Sequence, residues 1–193
     1  MRILLWTRRV LFTVAFSLLA CCGFVALDAW NFQRAERRQL ERARPARQEA
    51  AYALPPKNPP PAAKGDLIGL IEIPRLGMSV IVIEGTSARV LQRAVGHIPG
   101  TALPGQQGNV GISGHRDTFF RPLEDIRPND IITISTLFGE YRYKVVSTTV
   151  VSPYDVAVLK TSRQEILTLV TCYPFYFVGS APDRFIVRAV RVT

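Results

Sequence analysis

Residues 166–174 read ILTLVTCYP, and residues 184–192 read RFIVRAVRV. Both runs are rich in Val, Ile and Thr, which suit the pleated, half-buried surface of a strand. The first predicts a strand over Ile166–Thr171 and the second a strand over Arg184–Val192. Pro174 cannot donate to a ladder, so it stops simple continuation. The Cys172 thiol is thus delivered to a point where a sheet opens to solvent. If the two strands are antiparallel neighbours, Cys172 and Arg184 oppose one another, with Cα atoms about 5 Å apart. A guanidinium that close can favour a thiolate, or stabilise the oxyanion formed when a thiolate attacks a carbonyl. The bland alternative for Arg184 is a surface charge on a strand end, paired with Asp183 or Asp117.

The same pattern extends back to Gly65. Further short β runs are expected at Leu67–Ile73, Ser79–Ile83, Val110–Ser113, Ile131–Ser135 and Glu140–Val150. Phe138-Gly139 reads as a hairpin turn. Tyr141 to Val145 alternates apolar and polar, so one face of that strand is solvated. Helical signals are short, at Ser87–Val95 and as a single turn over Pro122–Ile126. Seven or eight strands with little helix predict a mainly β domain over residues 65–193. A closed or nearly closed barrel is expected, with a sandwich as the alternative.

The N-terminal third is different. Val10 to Leu27 is an uncharged apolar run preceded by Arg2, Arg8 and Arg9. At helical rise it reaches about 27 Å, enough to cross a bilayer core. Trp6 and Trp30 bracket it at interfacial depth. Residues 1–30 are therefore read as a transmembrane anchor. A lipoprotein signal ending at Cys21 (Leu18-Leu19-Ala20-Cys21) is the alternative, and no small-x-small site favours a cleaved signal peptide. Residues 31–64 are read as a linker. Its first part predicts a short polar helix, broken near Pro45 and solvated as a stalk. Its second part, residues 53–63, predicts an extended Pro-rich spacer. The Arg residues after the span outnumber those before it, which runs against export of the C-terminal part. The positively charged start resembles a signal sequence and favours export.

The charge places the partners. The chain carries a formal net charge of +9. Residues 1–64 hold 11 Lys/Arg against 4 Asp/Glu, whereas residues 65–193 hold 13 against 11. The basic excess sits beside the membrane segment and not on the folded domain, which argues against a nucleic-acid-binding surface. Cys172 is the single cysteine of the domain, so export would leave it without a disulfide partner there. Thiol chemistry needs a proton carrier, and the chain has two histidines, His97 and His115. Neither has a known distance to Cys172 in the sequence, and the two with one Cys make no zinc signature.

Five segments together resemble the sortase family, and most closely its class D-like members. They are GHIPGTALPG at 96–105, GNV at 108–110, SGHRDT at 113–118, TLVTCYP at 168–174 and APDRFIV at 181–187. The resemblance implies an eight-stranded β-barrel with short helices, carrying its site at one end behind a single transmembrane helix. It implies Cys172 as nucleophile, His115 as general acid/base and Arg184 as the oxyanion or substrate-binding group. His97, Thr171 and Val170 are left as expected substrate contacts. The implied substrates are exported proteins with a C-terminal sorting motif similar to Leu-Pro-x-Thr-Gly or Leu-Pro-x-Thr-Ala. The implied acceptor is an amine, such as a cell-wall peptide or a protein lysine. The resemblance implies a catalytic domain on the extracytoplasmic side of the cell membrane and no cofactor for the chemistry. Some sortases use calcium to order a loop, but the acidic residues here are scattered and give it no place. Simple hydrolysis by the same three residues, and a non-catalytic membrane-anchored binding barrel, are the competing readings.

Overall fold

The computed structural model describes residues 2–50, 61–177 and 179–192; within the first of these segments, side chains are described for 5–43. The β-branched runs pair into eight strands. These are β1 (Leu67–Ile73), β2 (Met78–Glu84), β3 (Val95–His97), β4 (Gly108–Ser113), β5 (Ile131–Thr136), β6 (Glu140–Val151), β7 (Glu165–Tyr173) and β8 (Asp183–Val192). They close into a barrel in the order β1-β2-β3-β4-β7-β8-β6-β5. β5 pairs back onto β1, so the sheet has no free edge. Two neighbouring pairs, β2–β3 and β4–β7, are parallel, and the others are antiparallel. Side-chain alternation fills the interior. Ile71, Ile73, Val82, Ile112, Ile132, Ile134, Tyr143, Leu167, Leu169 and Val187 are all fully buried. Each such aliphatic side chain contributes roughly 1.5–3 kcal/mol relative to exposure.

One local expectation fails for a packing reason, and a second holds. The helix expected over Ser87–Val95 is only a turn, α2 (Ala88–Leu91), because Val95 begins β3. Ala94 and Val95 are completely buried, and β3 lies between β2 and β4. At Gly96 a β-carbon would run into the Gly85 carbonyl oxygen, so the close approach requires glycine. The Pro122–Ile126 turn is a 3-10 turn at Arg121–Asp125.

The polar segment after the apolar run also differs. One helix, α1 (Arg2–Ala50), runs through Pro45 without a break. Pro45 removes one N–H, whose partner would be the carbonyl of Glu41. Glu41 is exposed, so water can satisfy that carbonyl. The flanking Arg, Ala, Glu and Gln residues favour helix. Most of the Pro-rich spacer, residues 53–60 of 53–63, lies outside the described residues.

The expected stalk is in part docked on the barrel. Asp28 pairs with Arg93 at 2.6 Å. Gln33 bridges strand β2 and the turn that precedes β3, donating to the Arg93 carbonyl at 2.6 Å and accepting from the Ile81 N–H at 2.9 Å. Arg37 donates to the Ser79 hydroxyl at 2.9 Å. Leu40 is 1% exposed and packs with Leu70, Ile81, Ile83 and Ala94. N-terminal to this contact, Leu11, Phe12, Phe16, Leu19 and Phe24 are all exposed. This part of α1 is long and apolar enough to cross a membrane, consistent with an anchor or a signal sequence.

A chain beginning at residue 65 uncovers Leu70, Ile81 and Ile83, whereas one beginning at residue 28 keeps them covered. Leu40 alone supplies roughly 1.5–3 kcal/mol of burial. The shorter chain is expected to melt at least about 5 °C below the longer one by differential scanning fluorimetry. Equal melting points would show that docking of α1 adds nothing to barrel stability.

Candidate active site

The site is assembled by two strand pairings. β7 and β8 run antiparallel in a register that sets Cys172 directly opposite Arg184. On the other side of β7, the parallel strand β4 ends at Ser113 opposite Val170. The chain then leaves β4 through Gly114, which is held at both ends of its peptide. Its N–H donates to the Val170 carbonyl at 3.2 Å. Its carbonyl accepts from the Thr171 hydroxyl at 2.8 Å. His115 follows immediately, so the residues before the histidine are tied to the residues before the cysteine.

Gly114 is required by space. A β-carbon there would sit 2.8 Å from the Phe120 ring and 2.9 Å from a Val95 methyl. Phe120 is completely buried, and its N–H donates to the His115 carbonyl at 3.1 Å. The histidine loop is thereby folded back on the barrel core.

The three residues expected to act together share one cleft of about 340 Å³, lined by His115, Arg116, Asp117, Cys172, Gly179, Ser180, Ala181 and Arg184. Cys172 is half-buried and His115 is exposed. Arg184 donates to the Asp183 carbonyl at 2.9 Å and the Ala181 carbonyl at 3.4 Å. Among the described residues no carboxylate pairs with it, so the surface ion pair with Asp183 or Asp117 does not form. A thiol, an imidazole and a guanidinium at one opening can supply a nucleophile, a proton carrier and a counter-charge for an oxyanion. Beneath them, Tyr173, Phe175 and Phe185 pack as an aromatic cluster, with ring centroids 5.3–6.2 Å apart.

The expected substrate contacts lie elsewhere or do other work. His97 is 2% exposed and lines a separate cleft with Glu84 and Thr101. Its Nδ1 meets the Glu84 carboxylate at 2.5 Å and its Nε2 meets the Ala102 carbonyl at 2.9 Å. A carbonyl only accepts, so Nε2 carries hydrogen and His97 pins the turn at 98–102 to the barrel. The Thr171 side chain is buried and spent on Gly114. Val170 is half-buried and contributes its carbonyl to the same residue. Two arginines had no role assigned from sequence. Arg116 donates to the Pro174 carbonyl at 2.8 Å and the Phe177 carbonyl at 2.6 Å. Arg121 donates to the Phe175 carbonyl at 2.9 Å. The signal for Arg116 was its place beside His115 in SGHRDT. Among the described residues no group of three or more His, Cys, Asp or Glu is placed to hold a metal ion.

Comparison with known proteins agrees with this architecture. A family profile for the sortase domain matches residues 71–192. The chain belongs to the sortase family. It is 37% identical over 130 residues to Sortase D of Bacillus subtilis (strain 168), covering 67% of this chain and 66% of that protein. It is 35% identical over 129 residues to Sortase SrtE1 of Streptomyces coelicolor, covering 57% of this chain and 37% of that protein. The matches thus span less than two thirds of the length of these relatives. Among solved structures, the Sortase D5 transpeptidase of Clostridium perfringens superposes with a TM-score of 0.70 at 29% identity, covering 84% of this chain and 99% of that one. The C. perfringens sortase C solved with the C-terminal cell wall sorting motif superposes with a TM-score of 0.61 at 31% identity, covering 68% and 73%.

Gly114→Ala is expected to push Phe120 out of its packed position, at a cost of about 1–3 kcal/mol. The accompanying shift of His115 is expected to lower turnover by roughly tenfold or more. Thermal melting together with peptide-cleavage assays checks both. An unchanged melting point would mean that the Phe120 contact does not hold the histidine loop.

Proposed function

We propose that this protein is a membrane-anchored cysteine transpeptidase. In this reading it cleaves a Leu-Pro-x-Thr-Gly- or Leu-Pro-x-Thr-Ala-like sorting motif of an exported protein and passes the acyl part to an amine. The observation that carries the reading is the register pairing of Cys172 with Arg184, in a cleft that also contains His115. Membership of the sortase family supports the reaction class. Similarity to the C. perfringens sortase C solved with the C-terminal cell wall sorting motif supports the substrate class.

The reaction runs in two halves. The Cys172 thiolate attacks the carbonyl before the scissile bond, and the Arg184 guanidinium stabilises the oxyanion of the tetrahedral intermediate. His115 protonates the departing amine as the C–N bond breaks, leaving a thioester on Cys172. An incoming amine loses its proton to His115, attacks the thioester and forms a new amide, and the C–S bond breaks to return the Cys172 thiolate beside protonated His115. Val170, Thr171 and Gly114 keep His115 beside Cys172 through both halves. The apolar part of α1 anchors the enzyme, with the barrel on the extracytoplasmic side where exported substrates arrive.

Kinetics on the detergent-solubilised full chain, with a sorting-motif peptide and a glycine peptide as acceptor, test the assignment. Cys172→Ala is expected to abolish product. His115→Ala is expected to lower kcat/KM by roughly 10²–10⁴, and His97→Ala far less once folding is checked. The reverse ranking of the two histidines would overturn the role of His115. Arg184→Lys is expected to lose roughly 10²–10³ in kcat, because an ammonium cannot reproduce the planar fork. Near-normal turnover in that variant would reduce Arg184 to a general charge. Release of acid alone at any amine concentration would make the enzyme a hydrolase.

A further inference from the structure

Arg116 is a cation that the reaction above does not use. It is only 9% exposed, and among the described residues no carboxylate pairs with it. Burying a charge is costly unless its donors are satisfied. Here its three hydrogen bonds all go to carbonyls of a single loop, the one joining β7 to β8. Nη1 donates to Pro174 at 2.8 Å, and Nη2 donates to Phe177 at 2.6 Å and Gly179 at 3.2 Å. The guanidinium also lies 5.8 Å from the centre of the Phe177 ring. Arg121, from the same segment as His115, adds the Phe175 carbonyl at 2.9 Å and stacks 3.9 Å above the Tyr176 ring.

That loop is a wall of the cleft. Its Gly179, Ser180 and Ala181 line the opening beside Cys172. Its Ala181 carbonyl receives a hydrogen bond from Arg184. A continuous set of contacts therefore runs from His115 through its neighbour Arg116, into the loop carbonyls, and on to Arg184. Phe175 at the start of the loop is buried, but Tyr176 and Phe177 are exposed, so beyond Phe175 the backbone ties, and not side-chain burial, hold the wall.

We propose that Arg116 is a positioning residue that fixes the β7–β8 loop against the histidine loop and so governs whether an amine or water resolves the acyl-enzyme. This inference rests on acylation of Cys172 as described above. Both resolutions break the same thioester C–S bond and return the thiol. The amine yields an amide and gives up one proton, and water yields a carboxylic acid. A wall held in place keeps bulk water from the thioester and orients the peptide. A released wall admits water and weakens peptide binding.

Arg116→Gln and Arg116→Lys, made in the detergent-solubilised full chain, test this. For Arg116→Gln the peptide KM is expected to rise about tenfold and the acid-to-amide product ratio at fixed glycine peptide about fivefold or more. The single-turnover rate of acylation at saturating peptide is expected to stay within about threefold, since Cys172, His115 and Arg184 are intact. Arg116→Lys, with one charge but no fork, is expected to fall between wild type and Arg116→Gln. Chymotrypsin cleavage after Tyr176 or Phe177, mapped by mass spectrometry, is expected to speed up about tenfold or more in Arg116→Gln as the loop is freed. Faster cleavage with an unchanged product ratio and KM would make Arg116 a structural staple and overturn the proposal. Unchanged cleavage would overturn the tie itself. A wild-type protein that forms no thioester would overturn the transpeptidase reading and the acceptor role with it, while the cleavage rates still decide whether the tie exists.

Discussion

Two hydrogen bonds at Gly114 hold the candidate chemistry together. The Gly114 N–H reaches the Val170 carbonyl, and the Thr171 hydroxyl reaches the Gly114 carbonyl. They extend the parallel β4–β7 pairing past the last residue of β4, so the histidine loop departs from a fixed point next to the cysteine strand. The antiparallel β7–β8 pairing sets Arg184 opposite Cys172 from the other side. The cysteine strand is thus the common reference for both partners. The absence of a side chain at Gly114 lets Phe120 close beneath it, and barrel closure keeps β4, β7 and β8 from sliding.

The second organising feature is the long helix. Its apolar half and its docked half are one continuous helix, because α1 continues past the bilayer-length run into the contacts at Asp28, Gln33, Arg37 and Leu40. Two of the arginines that give the N-terminal third its charge, Arg34 and Arg37, are also structural. Arg37 bonds β2, and Arg34 stacks 3.8 Å over the Trp30 ring. A barrel carried this way is held close to the apolar part of α1 by side-chain contacts as well as by the chain connection.

Much of this was legible in the sequence, and the exceptions have physical causes. Seven of the eight strands were readable because they are runs of Val, Ile and Thr long enough to show. β3 was hidden because it is three residues with a glycine in the middle, and its strand character comes only from neighbours on both sides. The facing of Cys172 and Arg184 could be anticipated because a hairpin fixes register. The nearness of His115 could not, because β4 and β7 are far apart in sequence and a parallel pairing carries no turn signal. Thr171 and His97 were expected near substrate. Whether a polar side chain is free or already bonded to a carbonyl is decided by tertiary contacts that no local pattern reports. The same blindness left Arg116 without a role, since its partners lie about 60 residues away. Helix continuity at Pro45 was missed because a single lost N–H bond weighs less than the helix-favouring residues around it.

The β-barrel thus serves as a rigid frame that brings a thiol, an imidazole and a guanidinium from three separate segments to one opening. The most direct test is the site of covalent attachment. The full chain would be quenched in acid during turnover of a sorting-motif peptide, digested and mapped by mass spectrometry. The account predicts an acyl mass on the fragment that contains Cys172 and none on the fragment that contains Cys21 and Cys22. Acylation confined to the membrane-segment cysteines, or turnover with no acyl mass on Cys172, would contradict it.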